Sequence, residues 1–280
     1  MVVVSAAALG LSAGCQKSGA PGLTLSATAG AGSGATSGST LSIDGGNSVA
    51  IDRVRLVISR AELEGPAACP GPSPTLGPTG PTSPDDGGRV VSGQGVMLDE
   101  GPGHDGDTPG EDGMDGDDDR CEFEGGPFLV DLSGGNLVGG VHAVAGFAAP
   151  AGTYDDVKLR VHTITTAQAA GDTAMQAMVD AGAAVLVDGS VAGTPFTFSA
   201  PLEATQKRAG PIVVDPSTGV NVTLEVDPSG WFKAADGSLL DPGAPAARDA
   251  ILENMLASLR LIKDDDHDGQ DDDQAGDSHH

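Results

Sequence analysis

Val49-Ala-Ile-Asp-Arg-Val-Arg-Leu-Val-Ile-Ser-Arg-Ala-Glu-Leu63 places Val54, Leu56 and Ile58 on one side of an extended chain and Arg53 and Arg55 on the other. Such alternation, with a period of two, marks a strand with one face buried and one in water. Similar readings fit 128–132, 154–164, 184–188, 195–201 and 220–226. Between two of these, Asp188-Gly-Ser-Val-Ala-Gly-Thr194 reads as a hairpin turn. Strands joined by short Gly-rich turns, without regular helices between them, predict a mainly β fold, an antiparallel β-sandwich, rather than a parallel α/β sheet. Two short helices are predicted beside it. Residues 172–181 open on Asp172 as N-cap and stop at Gly182. Residues from about 246 to 263 carry the apolar stripe Ile251, Leu252, Met255, Leu256, Leu259 and Ile262, suited to packing on the sheet.

Composition limits what this core can be. Gly 43 and Pro 19 in 280 residues leave much of the length as connection, and only 3% of residues are aromatic. Trp231 and Tyr154 are each the sole member of their type, so the core rests on Val, Leu, Ile and Ala. The net charge of -26 is concentrated in two stretches. Residues 99–124 hold twelve acids against Arg120, and residues 264–280 hold eight Asp with no Lys or Arg. Nucleic acid is therefore not an expected partner, because its phosphates would be repelled. Divalent cations and basic surfaces are the partners that such charge favours.

Residues 1–14 are uncharged, apolar or small and end at Cys15, as a signal peptide ends at its cleavage site. Fourteen residues are too few to span a bilayer as a helix. Leu11-Ser-Ala-Gly-Cys15 resembles a lipobox, whose cysteine sulfur takes a lipid. The resemblance implies Cys15 as the lipid-attachment residue and the membrane as a partner through that anchor. Ser12 stands where a large aliphatic residue is usual, and no Lys or Arg precedes the apolar run, which leaves room for a start upstream of Met1. An ordinary secreted protein and a buried cytosolic strand stay open as alternatives. Residues 15–40, rich in Gly, Ser, Ala and Thr, read as a lipidated cysteine followed by a flexible tether.

The domain is then expected over 41–263, interrupted by a disordered insert at 65–124, with an acidic tail at 264–280. Cys69 and Cys121 flank the insert, and in an oxidising compartment they read as a disulfide. It would close a loop whose chain-entropy contribution is roughly 4 kcal/mol. Two buried free thiols are the alternative, and no second Cys or His stands at metal-ligand spacing from either.

The chain carries, in order, the strand at 51–58, the segment Phe128-Leu-Val-Asp-Leu132, the stretch Pro150-Ala-Gly-Thr-Tyr-Asp-Asp-Val-Lys-Leu-Arg160, the strand ending Pro195-Phe-Thr-Phe198, and a late helix followed by an Asp-rich run. Together they resemble the domain-of-unknown-function family 4382 of bacterial lipoproteins, which is similar to prealbumin-like sandwiches. The likeness covers about 41–263 without the insert, and its most specific piece is the Ala151-Gly-Thr-Tyr154 turn. It implies a fold and a location in the cell envelope, on the outer membrane or the periplasmic face. It implies no activity.

Chemistry is sparse in the body. His142 and His162 are the histidines outside the insert and tail, and His162 follows Val161 on an outward face. Tyr154 and Asp155 are placed in a turn, where they could line a pocket. No nucleophile elbow, phosphate loop or His-Glu-x-x-His pattern occurs. The stronger signal is Asp264-Asp-Asp-His-Asp-Gly-Gln-Asp-Asp-Asp273. Asp264, Asp266 and Asp268 alternate ahead of Gly269, like the opening of a calcium loop, and Asp272 is a later candidate ligand. Position twelve is Ala275 rather than a bidentate Glu, so the expected affinity for calcium is weak, and a solvated acidic tail is the alternative. The sequence thus predicts a non-enzymatic binding or adhesion module of the envelope with an unknown ligand. A calcium-responsive structural protein and an envelope hydrolase with an unrecognised site are the other readings.

Overall fold

Residues 49–63 belong to one strand of nineteen residues, Asn47–Gly65, and it changes phase twice. Val49 and Ile51 point into the core, then Val54, Leu56 and Ile58, then Ala61 and Leu63, all of them at most 2% exposed. Odd positions give way to even ones and then return. Each change is a break in the ladder, one between Ile51 and Arg53 and one between Ile58 and Arg60. A residue inserted on one strand bends it and resets which side faces inward. Were Asp52 and Ser59 fitted into a regular alternation instead, Val54, Leu56 and Ile58 would face away from the side that buries Val49, Ile51, Ala61 and Leu63.

The computed structural model describes residues 22–30, 40–43, 47–66, 121–137 and 140–273. In chain order the elements are β1 (Gly22–Ala29), β2 (Thr40–Ile43), β3 (Asn47–Gly65), β4 (Cys121–Gly125), β5 (Phe128–Ser133), β6 (Val141–Ala148), β7 (Gly152–Val161), α1 (Thr166–Ala169), α2 (Thr173–Asp180), β8 (Val185–Val191), β9 (Thr194–Ala200), β10 (Ala204–Val214), β11 (Val220–Val226), α3 (Arg248–Ser258) and β12 (Leu259–Lys263). They form two sheets. The small one runs β12-β11-β1-β6, and the large one runs β10-β7-β3-β8-β9 with β2, β5 and β4 also paired to β3. The long β3 is the spine because it has room for five partners. β2, β5 and β4 follow one another along one edge, and β8 then β7 along the other.

The predicted antiparallel sandwich is what forms, with one parallel pair inside it, β1 against β11. Its inner layer is aliphatic, with Leu23, Leu25, Leu56, Leu63, Val222 and Leu224 among its members. Phe232 adds an aromatic corner, with ring centroids 5.2 Å from Phe196 and 6.1 Å from Phe198. Buried Trp231 donates its indole N–H to Ser258 Oγ at 2.6 Å. On the outer face of the large sheet Ala169 of α1 and Met178 of α2, together with Ile164 ahead of them, cover Val57 and Leu186. Asp172 caps α2 as expected, accepting from the Ala174 and Met175 amides, and Gly182 follows it at φ 58°. The β8–β9 hairpin turns through Ala192 and Gly193, both left-handed.

The course of the backbone departs from the sequence expectations at four places. The tether placed over 15–40 contains β1, a strand between β11 and β6 whose Leu23, Leu25, Ala27 and Ala29 are at most 3% exposed. Small residues suit that position because two neighbouring strands and the core close around it. The insert does not begin at 65 or end at 124: β3 runs to Gly65 and β4 pairs back onto it, leaving 67–120 outside the described residues. The helix expected to 263 ends at Ser258, and Leu259–Lys263 becomes β12, pairing Val226 with Leu259 through to Val222 with Lys263. Leu259 and Ile262 satisfy a helical stripe, but β11 needs a partner along its free edge, and sheet pairing overrides local periodicity. Finally, the acidic tail does not leave the body at 264, since Asp264 and Asp271 are both buried.

Candidate functional site

The outer face of the small sheet carries a polar stripe instead of an apolar one. Ser26 and Thr28 of β1 alternate with Leu25 and Ala27, and Asn221 and Thr223 of β11 alternate with Val220, Val222 and Leu224. All four polar residues are buried. Ser26 Oγ donates to Asn221 Oδ1 at 2.9 Å, and Asn221 Nδ2 donates to Thr223 Oγ1 at 3.2 Å and to the Asp264 carbonyl at 2.6 Å. Thr223 Oγ1 in turn donates to Asp264 Oδ2 at 2.7 Å. The stripe thus receives the chain as it leaves β12 and holds the Asp264 carboxylate at 0% exposure.

From there the backbone curls back. His267 and Gly269 adopt left-handed φ values of 61° and 81°, which turn the chain tightly. Gly269 donates its amide to Asp264 Oδ1 at 3.2 Å, Asp268 to Asp266 Oδ1 at 3.2 Å, and Gln270 to Asp268 Oδ1 at 2.7 Å. These turns gather the carboxylates: Asp264, Asp266 and Asp268 each present an oxygen within 4.8 Å of the other two. Asp264 is buried while Asp266 and Asp268 are exposed. The three alternate positions singled out in the sequence therefore meet.

Asp272 stands apart from them. Its Oδ2 accepts from the Asp265 amide at 2.7 Å, and its own amide donates to the Lys263 carbonyl at 3.0 Å, so it closes the base of the loop. Asp265 pairs with the Lys263 ammonium at 3.1 Å, and that carboxylate raises the lysine above its ordinary pKa. Beyond the loop, Asp271 takes a two-pronged contact from Arg208 of β10, at 3.0 and 3.1 Å, and Asp273 pairs with the same guanidinium. Arg260 of β12 approaches Asp271 at 3.7 Å. The last described residues are thereby fastened to both sheets.

Three carboxylates this close repel, and the buried one cannot be relieved by water. A hard divalent cation suits such an oxygen set, with backbone carbonyls and water completing its shell. Asp264, Asp266 and Asp268 would hold it. The buried polar stripe, the role of Asp272 and the Arg208 clamp were not read from sequence. The alternation of Ser26 and Thr28 with Leu25 and Ala27, and of Asn221 and Thr223 with Val222 and Leu224, was the available signal.

The other sequence candidates disperse. Cys15 and Cys69 lie outside the described residues. Cys121 is 1% exposed at the start of β4, opposite Gly65. His142 lies on β6 of the small sheet, whereas His162 follows β7 of the large one. Tyr154 is not in a turn: it is fully buried in β7, donates its hydroxyl to the Pro150 carbonyl at 2.8 Å, and meets Phe123 edge-on. Burial raises its phenol above the ordinary pKa. Among the described residues no helix is long and apolar enough to cross a membrane. Comparison with family models, with curated proteins and with solved structures returns no match.

Proposed function

We propose that this chain is a non-catalytic binding or adhesion module of the bacterial cell envelope, anchored through lipid on Cys15, whose C-terminal Asp loop takes a calcium ion. The observation that carries the cation reading is the convergence of Asp264, Asp266 and Asp268 on one point with Asp264 wholly buried. Calcium is favoured over magnesium because two of the three carboxylates sit on an exposed, adaptable loop, and magnesium demands a stricter octahedral shell. The ion would replace mutual repulsion with attraction and tighten the turn that closes on β12. Its affinity belongs in the weak range of extracellular modules, about 10⁻⁴ to 10⁻³ M.

The envelope reading rests on the apolar run before Cys15 and on the resemblance to family 4382, which implies a sandwich architecture. A Cys69–Cys121 disulfide belongs to the same reading: it would staple the chain just beyond the Gly65–Cys121 pairing. Calorimetric titration of calcium into the intact protein and into an Asp266→Ala/Asp268→Ala variant tests the loop. Heat with the parent and none with the variant is expected; equal heats, or equal response to magnesium, would leave a structural acidic turn. Palmitate labelling that is lost with Cys15→Ser tests the anchor, and membrane retention without labelling would reject it.

A further inference from the structure

The outer face of the large sheet holds a second polar site, independent of the Asp loop. Arg60 of β3 and Arg160 of β7 stand directly opposite one another in the ladder. Like charges so placed are destabilising unless something compensates them. Glu62 does so: its carboxylate, 1% exposed, lies 2.8 Å from Arg60 Nε and 3.0 Å from Arg160 Nε. Arg60 turns its Nη2 toward Glu122, at 2.9 Å, and toward Glu124 of β4. Arg160 is engaged through Nε, and among the described residues no ion pair occupies its two Nη groups.

Both arginines line a cleft of about 680 Å³, a size usual for small-molecule sites. His162, Gln168, Glu203 and Thr205 line it as well. His162 has Nδ1 2.7 Å from the Thr163 carbonyl and Nε2 3.1 Å from Glu203 Oε1, so both ring nitrogens face protein oxygens. The ring engages Glu203, a carboxylate of the lining. What remains for a ligand is the outer edge of the Arg160 guanidinium, ion-paired to Glu62 on its Nε side, with the Nε2 group of Gln168, whose Oε1 is taken by Thr165, and the Thr205 hydroxyl in the same lining.

We propose that this cleft binds a small monocarboxylate bearing hydroxyl groups, its carboxylate received by the two Nη groups of Arg160 and its hydroxyls by Gln168 and Thr205. A planar carboxylate matches the guanidinium fork with two parallel hydrogen bonds. A single charge fits better than the two of phosphate, because Glu203, Glu122 and Glu124 all lie near and repel each added negative charge.

The test is calorimetric or NMR titration of the full chain with glucuronate, with glucose as the uncharged counterpart and inorganic phosphate as the doubly charged one. Glucuronate is expected to bind in the millimolar range, at least about tenfold more tightly than glucose or phosphate. Arg160→Gln should weaken glucuronate about tenfold or more. Arg160→Lys keeps a charge beside Glu62 and so protects the fold, yet loses the fork; it should weaken binding about fivefold or more. Arg53→Gln, elsewhere on the sheet, should leave binding unchanged. No glucuronate binding at about 20 mM, unchanged affinity in Arg160→Lys with an unaltered circular-dichroism spectrum, or equal affinity for glucose would overturn the proposal.

Discussion

Glu64 and Lys158 show how single residues on the outer face of the large sheet answer to pH. The Lys158 ammonium hydrogen-bonds the Glu64 carboxylate, which holds Glu64 below its ordinary 4.5 and raises Lys158 above its ordinary 10.5. A depressed carboxyl pKa stabilises the fold above the unfolded value and loses that contribution as pH falls through the folded one. The acid limb of the stability curve, below pH 4.5, should therefore flatten in Glu64→Gln, which is expected to cost about 1 kcal/mol at neutral pH and to converge with the parent in acid. Chemical denaturation across that range reads it. A parallel pair of curves would mean that the ion pair contributes nothing. Gly189 gives a steric counterpart: a Cβ there would press on the Ala50 carbonyl oxygen, inside the β3–β8 ladder. Gly189→Ala should lower stability by more than about 2 kcal/mol, because backbone has to move. A shift within error in thermal melting would contradict that close approach.

At the scale of elements, β1 makes the sharpest claim. If Gly22–Ala29 were tether, Leu25→Asn would be silent; as a strand between β11 and β6, it should lose about 3 kcal/mol or more. Denaturant melting of that variant separates the two. The strand was legible in principle, since Leu23, Leu25, Ala27 and Ala29 alternate, but the surrounding Gly and Ser obscured the pattern. β11 is legible with its actual bounds because Val220, Val222, Leu224 and Val226 alternate without interruption. β3 is legible as a strand, but its two phase changes are not, because a bulge depends on what the partner strands require. β10 was missed for another reason: Thr205, Lys207 and the Gly210–Pro211 pair give little apolar alternation on a strand at the sheet edge, where Pro is tolerated. For the candidate site, the spacing of Asp264, Asp266 and Asp268 carried the cluster. Nothing local to it foretold that Thr223, far away in the chain, would bury Asp264.

For the molecule as a whole, the charge of -26 is a liability that the C-terminal segment in part converts into structure. Asp271, 2% exposed at its side chain, is clamped by Arg208 from the edge of the large sheet while Asp264 is buried against the small one. Residues 264–273 therefore act as a strap across the two sheets rather than as a tail. Arg208→Ala leaves Asp271 buried with the more distant Arg260 near it, and the expected loss is about 2–3 kcal/mol, below that of a wholly unpaired buried charge. The strap and the cation loop share one backbone, so the two should be coupled: calcium should raise the melting temperature of the parent, and Arg208→Ala should lower both the starting value and the calcium affinity. Asp266→Ala/Asp268→Ala should abolish the calcium response while leaving most of the metal-free stability, because those two side chains are exposed. Differential scanning calorimetry of the three proteins with and without calcium reads all of these effects together. If Arg208→Ala melts like the parent, the clamp is not holding the sheets; if it melts lower yet binds calcium equally well, strap and loop act independently.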